Sequence, residues 1–182
     1  MPTEMRLING RRLELVTGDI TAQQVDAIAN AANAALRGGG GVDGAIHRTA
    51  GPELLEELRR RYPEGTPTGT AVVTDAYRLP ARWVLHAAGP VWRGGSRGEP
   101  ELLISAYRSC LRLCDQLGAQ TVAFPAISMG IYGYPMEDGA EIALRTVLDH
   151  LSGETPLEVA RFVLFSPETY RAFAAALGTL DE

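Results

Sequence analysis

The chain has 182 residues, of which 46% are hydrophobic, and a formal net charge of −5, which predicts one globular domain over residues 1–182. All 17 basic residues are arginine, and the absence of lysine excludes P-loop nucleotide sites, Schiff-base catalysis and the protein-kinase mechanism. The acidic charge and the scattered arginines argue against general binding to nucleic-acid backbones.

Membrane insertion and secretion are also not expected from the hydropathy pattern. No apolar run reaches the ~18 residues that a membrane span requires. The polar, charged N-terminal stretch lacks the apolar segment of a signal peptide. We therefore expect a cytoplasmic protein that does not associate with membranes.

Strand-like apolar runs alternate with helical patterns along the chain. In order, we predict strands over 12–19 and 26–32, a helix that begins near Asp43, a helix over 51–62, strands over 70–76 and 82–89, a helix over 100–118, a strand over 121–126, a helix over 136–151, a strand over 161–166 and a helix over 167–177. Ser166 is expected to cap the last helix, with Pro167 at its first position. This alternation predicts an α/β sandwich with helices on both faces of a largely parallel sheet.

Four consecutive glycines occupy positions 38–41, between a predicted buried strand and a predicted helix. A flexible linker is the simplest use of such a run, but this one is enclosed by regular structure on both sides. A tight glycine loop between a strand and a helix lets backbone N–H groups close on a phosphate. We therefore expect an anion site here.

The carboxyl ends of the predicted strands carry glycines, small polar residues and isolated aromatics. In largely parallel sheets, ligands bind beyond these strand ends, so the segments should form one rim. Such a rim suits a dinucleotide-like ligand, which has phosphates in the middle and a ring at each end. The rim consists of segments 18–20, 30–43, 87–90, 125–135 and 165–166.

The cysteines and histidines do not form a recognisable metal or disulfide pattern. Cys110 and Cys114 lie four apart in a helical pattern, which places their Cβ atoms ~5–6 Å apart, too far for a disulfide. We predict that both are reduced core residues. His47, His86 and His150 share no ligand spacing with one another or with the cysteines, and we predict no metal site.

Taken together, these motifs resemble the macrodomain family, and most closely its MacroD-type hydrolase branch. The resemblance extends from about Leu13 to Leu177 and is carried by stretches 18–21, 26–33, 38–51, 68–92 and 125–135. It implies a three-layer α/β/α fold around a mixed, largely parallel sheet. It also implies binding of ADP-ribose without a cofactor, and either removal of mono-ADP-ribose from acidic side chains of proteins or deacetylation of O-acetyl-ADP-ribose.

The resemblance implies an adenine site at one end of the rim. Asp19 would accept a hydrogen bond from the adenine amino group, near the backbone N–H of Ile20. Phe165 would lie against the adenine ring. The alternatives are an ordinary turn residue for Asp19 and plain core packing for Phe165.

Two loops would hold the pyrophosphate and the distal ribose. Tyr132 would pack beside that ribose, with a solvent-facing loop aromatic as the alternative. The family usually has threonine where Met129 stands and often cysteine where Ala45 stands. The loop residues that the resemblance assigns to the ligand are Gly39, Gly40, Gly41 and Val42 on one side, and Ser128, Met129, Gly130, Ile131 and Tyr132 on the other.

The candidate catalytic residues are Asn33 and Asp43. Asn33 resembles the residue that holds a distal ribose hydroxyl, whereas we interpret Asn30 as a more structural ligand-site residue that holds the glycine loop. Asp43 would orient or deprotonate a water molecule near the anomeric carbon. The alternative for Asp43 is to cap the helix that follows. We interpret His47 as a packing residue rather than a base.

A second function, from a different class, is a module that reads ADP-ribose on proteins without cleaving it. The presence of both Asn33 and Asp43 favours the hydrolase. Removal of ADP-ribose from nucleic acid is disfavoured because relatives with that activity use a lysine, and this chain has none. The substrate, whether an ADP-ribosylated protein or O-acetyl-ADP-ribose, stays open at this stage, and we expect a monomer.

Overall fold

The computed structural model describes residues 4–180, which form seven strands and five α-helices. In chain order these are β1 (Glu4–Ile8), β2 (Arg11–Thr17), β3 (Ala27–Ala32), α1 (Gly41–Ala50), α2 (Glu53–Arg61), β4 (Ala71–Asp75), β5 (Trp83–Ala88), α3 (Glu99–Leu117), β6 (Thr121–Phe124), α4 (Met136–Ser152), β7 (Val159–Leu164) and α5 (Pro167–Thr179). A short 3-10 turn, Ile20–Ala22, follows β2.

All seven strands belong to one mixed sheet with the order β1-β2-β7-β6-β3-β5-β4. The five central strands run parallel, whereas the edge strands β1 and β4 pair antiparallel with their neighbours. The predicted mixed, largely parallel sheet is therefore confirmed. Because the central strands point the same way, their carboxyl ends meet at one edge, where the predicted rim lies.

Helices cover both faces of the sheet, which makes the predicted three layers. The alternation along β3 shows the two cores: Ala27 and Ala29 belong to the apolar cluster under α3, α4 and α5. Ile28 belongs to the other cluster, with Ile46 of α1 and Leu54 of α2. Side chains of a strand alternate between faces, so a central strand buried on both faces is mostly apolar, as β3 is apart from Asn30.

Strand β1 was not predicted, because its charged sequence was interpreted as part of a polar N-terminal stretch. It forms a hairpin with β2 through the two-residue turn Asn9–Gly10, where φ is 50° and 77°. Two consecutive residues with positive φ make the turn that suits tight hairpins, and Asn-Gly is its strongest sequence signal. That dipeptide could have revealed the strand.

Two local predictions, the buried cysteines and the capped last helix, are confirmed. Cys110 and Cys114 are free and buried on α3, and burial raises the pKa of the Cys110 thiol to about 12. The Ser166 hydroxyl accepts a hydrogen bond from the Thr169 backbone N–H at 3.2 Å, and α5 begins at Pro167. In the range 4–180, none of the helices has both the length and the apolar character needed to cross a bilayer.

Candidate active site

An open cleft of about 840 Å³ lies at the carboxyl ends of the parallel strands. This volume is within the range of sites for small-molecule ligands. Its walls are the segment after β2, the glycine loop, the segment after β6 and the segment after β7. The cleft residues that the sequence had singled out are Asp19, Ile20, Asn33, Gly39, Gly40, Gly41, Val42, Asp43, Ser128, Met129, Gly130, Ile131, Tyr132 and Phe165.

The glycine loop runs directly into the N-terminus of α1 on one wall of the cleft. Gly40 precedes the helix, and the first intrahelical bond is donated by the Gly44 N–H to the Gly40 carbonyl at 3.1 Å. The N–H groups of the helix's first turn therefore have no intrahelical acceptor and are available to an anion. A Cβ on Gly44 would come 2.6 Å from the Gly39 carbonyl oxygen, so glycine at position 44 allows the loop to fold back tightly.

The opposite wall is the loop between β6 and α4. Ser128 adopts a left-handed conformation with φ 69°, and the Tyr134 N–H donates to its carbonyl at 2.9 Å. Ile131 is 84% exposed and comes within 3.8 Å of the position that a Cβ on Gly40 would take. The two loops therefore approach each other across the middle of the cleft.

Two side chains of this second loop differ in direction. Met129, expected to contact the ligand, lines the cleft but is buried against Gly139 of α4, where a Cβ would lie 2.8 Å from the Met129 sulfur. Tyr132 is half-buried and lines the cleft. Its carbonyl accepts a hydrogen bond from the Trp92 N–H at 2.9 Å, which ties the loop to the segment after β5.

At one end of the cleft, Asp19 and Phe165 stand after neighbouring strands. Asp19 caps the short 3-10 turn: its Oδ1 accepts from the Thr21 N–H at 2.9 Å and from the Thr21 hydroxyl at 2.7 Å. Phe165 is 87% exposed at the end of β7, so the alternative of core packing for this ring is wrong. An aromatic ring left in water at the mouth of a cleft offers a surface on which a planar group can stack.

Asp43 is the third residue of α1 and is only 5% exposed. Its Oδ1 accepts from Asn30 Nδ2 at 2.8 Å and lies 3.3 Å from His47 Nε2. The position before the helix belongs to Gly40, and Asp43 makes no capping bond, so the alternative of an N-cap role is wrong. A carboxylate in the first turn is also favoured by the helix dipole.

The contact with the glycine loop that was expected of Asn30 is made by Asn33 in the structure. Asn33 holds the glycine loop: its Nδ2 donates to the Gly38 carbonyl at 2.9 Å, and its Oδ1 accepts from the Arg37 N–H at 3.3 Å. Asn30, expected to hold that loop and to line the ligand site, is fully buried inside β3 and bonds to Asp43 instead. It is absent from the cleft wall because strand pairing points it inward.

Asn33 and Asp43 are brought together beside Gly39. A Cβ placed on Gly39 would lie 3.5 Å from Asp43 Oδ2 and 3.8 Å from Asn33 Nδ2. The amide and the carboxylate therefore flank the same backbone position on the cleft wall. This arrangement puts a hydrogen-bond donor and an acceptor side by side where the glycine loop meets the helix.

Two residues near the site were missed from the sequence. Arg48, on α1, lines the cleft and adds a cation to it. His86, inside β5, is fully buried and contacts Asn30; burial, helped by the neighbouring His47, lowers the pKa of His86 to about 3. A histidine within an apolar strand pattern was the available signal. Throughout the described part of the chain, groups of acidic, histidine and cysteine residues suited to a metal ion are not found.

Comparison with known proteins agrees with this geometry. The sequence model of the family described as Macro domain matches residues 29–143. A Macro domain-containing protein of Streptomyces griseus is 56% identical over 171 residues, which cover 91% of this chain and 94% of that protein. A protein of Salmonella gallinarum named O-acetyl-ADP-ribose deacetylase is 52% identical over 168 residues, with the same two coverages.

Solved structures show the same likeness in three dimensions. The Oceanobacillus iheyensis macrodomain solved with ADP superposes with a TM-score of 0.93 at 40% identity, over 98% of this chain and 96% of that chain. A variant of that macrodomain is solved with ADPR. Because the family match covers more than half of this chain and the relatives align along nearly all of it, the chain belongs to the Macro domain family.

Proposed function

We propose that this protein binds ADP-ribose and hydrolyses the bond between ADP-ribose and an acyl group. The acyl group is either an acidic side chain of a protein or the acetyl group of O-acetyl-ADP-ribose. The observation that carries the proposal is the Asp43 carboxylate, held beside the glycine loop at the N-terminus of α1. The relative named O-acetyl-ADP-ribose deacetylase supports the same reaction class.

In the proposed complex the diphosphate lies between the glycine loop and the loop that contains Ile131. Backbone N–H groups at the start of α1 neutralise the phosphates, and Arg48 adds a positive charge at the cleft. The adenine stacks on Phe165, and its amino group donates a hydrogen bond to Asp19. This assignment fits the exposure of Phe165, because a bound ring would cover a surface now in water.

The distal ribose then lies between Asn33, Asp43 and Tyr132. Asn33 donates to or accepts from a ribose hydroxyl, and Asp43 accepts a hydrogen bond from a water molecule. A water held in this way directs a lone pair at the acyl carbon of the ester. Its oxygen bonds to that carbon, the bond from that carbon to the ribose oxygen breaks, and a proton of the water passes to the ribose oxygen, which gives a carboxylic acid and ADP-ribose. No metal or cofactor takes part in this proposal.

The same proposal covers the setting in which the protein works. We infer a cytoplasmic monomer that consists of one domain over residues 1–182 and has no general affinity for nucleic acid or membranes. The net charge of −5 supports the exclusion of nucleic acid, since a polyanion would be repelled at long range. Size-exclusion chromatography coupled to light scattering tests the monomer directly.

The experiment that tests the function is a release assay paired with calorimetry. Purified protein is incubated with glutamate-linked mono-ADP-ribosylated protein and, separately, with O-acetyl-ADP-ribose, and free ADP-ribose is quantified. Release from either substrate supports the hydrolase and identifies the preferred acyl group. Tight binding of ADP-ribose with no release from either substrate would instead make the protein a non-catalytic reader.

A further inference from the structure

A row of buried polar side chains continues from Asp43 into the protein, away from the cleft. We call it the polar row: Thr74, His86, Asn30 and Asp43. Thr74 Oγ1 lies 2.9 Å from His86 Nε2. His86 Nδ1 lies 3.1 Å from Asn30 Nδ2, which in turn lies 2.8 Å from Asp43 Oδ1. The row therefore links β4, β5, β3 and α1 without a break.

Sheet register places these side chains next to each other. Asn30 of β3 and His86 of β5 are direct partners in the parallel ladder, and Thr74 lies on the adjacent strand β4, opposite Val84 and two pairs along from His86. Apolar neighbours on the same face include Ile28, Ile46 and Val84. Burying three polar side chains in such a layer is costly unless they bond to one another, and apolar residues would pack there more simply.

The direction of every bond in the polar row can be derived. A carboxylate only accepts, so the Asn30 atom that faces Asp43 must be the amide nitrogen. That same nitrogen faces His86 Nδ1, which must therefore accept, and the neutral imidazole carries its proton on Nε2. His86 Nε2 then donates to Thr74 Oγ1, whose own hydrogen is donated to the Asp75 carbonyl at 3.0 Å.

The row uses both hydrogens of the Asn30 amide and leaves its oxygen without a partner. Asn30 Oδ1 is buried and accepts no hydrogen bond from residues 4–180. If the amide were turned, its oxygen would face the Asp43 carboxylate, and two hydrogen-bond acceptors would oppose each other. The orphaned oxygen is thus the consequence of an amide locked in one orientation for the sake of its two donors.

We propose that Thr74 and His86 are positioning residues that act on Asp43 through Asn30. By fixing the donor that holds Asp43 Oδ1, the polar row aims Oδ2 at the cleft wall beside Gly39, where the water would be held. This inference rests on the proposed role of Asp43 in hydrolysis. It adds two residues that touch neither the ligand nor the water.

The decisive variant is Thr74→Val, which keeps the volume of the side chain and changes nothing on the cleft wall. Without its acceptor, the His86 proton moves to Nδ1, where it opposes the Asn30 amide hydrogens. The amide must turn, and Asp43 Oδ1 loses the hydrogen bond from Asn30, which leaves His47 Nε2, 3.3 Å away, as its neighbour. Because misplacing a reacting group by about 1 Å can cost about 100-fold, we expect kcat to fall at least about 10-fold. The Kd for ADP-ribose should stay within about twofold, since the binding loops are unchanged.

Thr146→Val is the matched control. Thr146 is also buried, and its hydroxyl donates to the Ile142 carbonyl within α4, on the opposite side of the sheet. The control loses the same hydroxyl in the same kind of environment but has no connection to the polar row. It should retain wild-type kcat, which separates a general effect of Thr→Val substitution on stability from an effect on Asp43.

A pair of His86 variants tests which bond matters. The amide of His86→Asn can present an oxygen near the Nδ1 position and still accept from Asn30, whereas that of His86→Gln reaches the Nε2 position and serves Thr74 instead. We expect His86→Asn to retain more of the wild-type kcat than His86→Gln. A rank order that simply follows the melting temperatures of the two variants would overturn the proposal.

Nitrogen-15 NMR of the imidazole rings gives a readout that does not depend on activity. The His86 signals, assigned by their loss in His86→Gln, should report the Nε2–H tautomer in the wild type and the Nδ1–H tautomer in Thr74→Val. An Nδ1–H tautomer in the wild type, or wild-type kcat in Thr74→Val, would overturn the positioning role. If the wild type releases no ADP-ribose, the proposed function fails and the positioning role fails with it, while the tautomer still reports how the row is built.

Discussion

Replacing Asp43 by asparagine separates hydrolysis from binding in one substitution. The Asn30 amide donates to Asp43 Oδ1, so an asparagine at position 43 must present its own oxygen to Asn30. Its amide nitrogen then takes the place of Oδ2 beside Gly39, where a donor replaces the acceptor. A water molecule could no longer donate a hydrogen bond there, and the lone pair that should face the ester would be turned toward the amide.

The expected loss is large for the rate and small for stability. Removing a general base or a water-orienting carboxylate lowers kcat by ~10²–10⁴, equivalent to ~2.7–5.5 kcal/mol of activation free energy. The fold loses the interaction of the carboxylate with the helix dipole, ~0.3–1 kcal/mol, and the carboxylate's contact with His47, whereas the bond to Asn30 is kept. Affinity for ADP-ribose should be equal or higher, since a negative charge near the diphosphate is removed.

Asp138→Asn provides the control for the helix dipole. Asp138 is the third residue of α4, as Asp43 is of α1, but it is exposed and outside the cleft. Both variants lose the same charge at the same helix position, so Asp138→Asn measures the helix-dipole part of the shift in melting temperature. Any larger shift in Asp43→Asn reports the buried contact of Asp43 with His47. ADP-ribose release assays and calorimetry are run on all three proteins. An Asp43→Asn protein with wild-type kcat would remove Asp43 from the mechanism.

Three further predictions concern the ligand, metals and pH. Phe165→Ala should weaken ADP-ribose binding about 10-fold in calorimetry, because stacking on an aromatic ring contributes ~1–3 kcal/mol per base. The substitution should leave the melting temperature unchanged, since the ring is exposed. A lower melting temperature with unaltered affinity would contradict the stacking role. Dialysis against EDTA should leave turnover unchanged, and a rate restored only by added zinc or magnesium would reveal a metal site. The pKa of His86 is lowered in the fold to about 3, so below about pH 6.5 the unfolded chain binds one more proton than the folded chain. His86 should therefore lower the free energy of unfolding by about 1.4 kcal/mol for each pH unit of acidification. Denaturant titrations between pH 4 and about pH 6.5 should show this slope in the wild type but not in His86→Gln, and equal slopes would refute it.

The rim of the cleft could be predicted from the sequence because it follows from local rules. Each wall segment comes directly after a strand, and parallel strands end at a common edge, so the order of elements was enough to bring Asp19, the glycine loop and Phe165 together. The direction of Phe165 was not determined by these rules. Whether the residue after a strand faces the core or the solvent depends on how the following helix leaves the sheet.

The environment of Asp43 could not be predicted, because it depends on strand register. Asn30 and His86 are 56 residues apart and meet only because β3 and β5 pair with these two residues opposite each other. A shift of one residue would have sent one of the two side chains to the other face of the sheet. The glycine loop is held by Asn33 rather than by Asn30 for a related reason, since Asn30 lies inside the paired strand and Asn33 beyond it.

The start of α1 also determines which part of the reaction should respond to pH. Peptide N–H groups do not gain or lose protons in the range where proteins are folded. A diphosphate held by such groups should therefore bind equally well in mildly acidic and mildly basic solution. Any bell-shaped dependence of turnover on pH between these limits would then report the groups around the water molecule rather than the grip on the ligand.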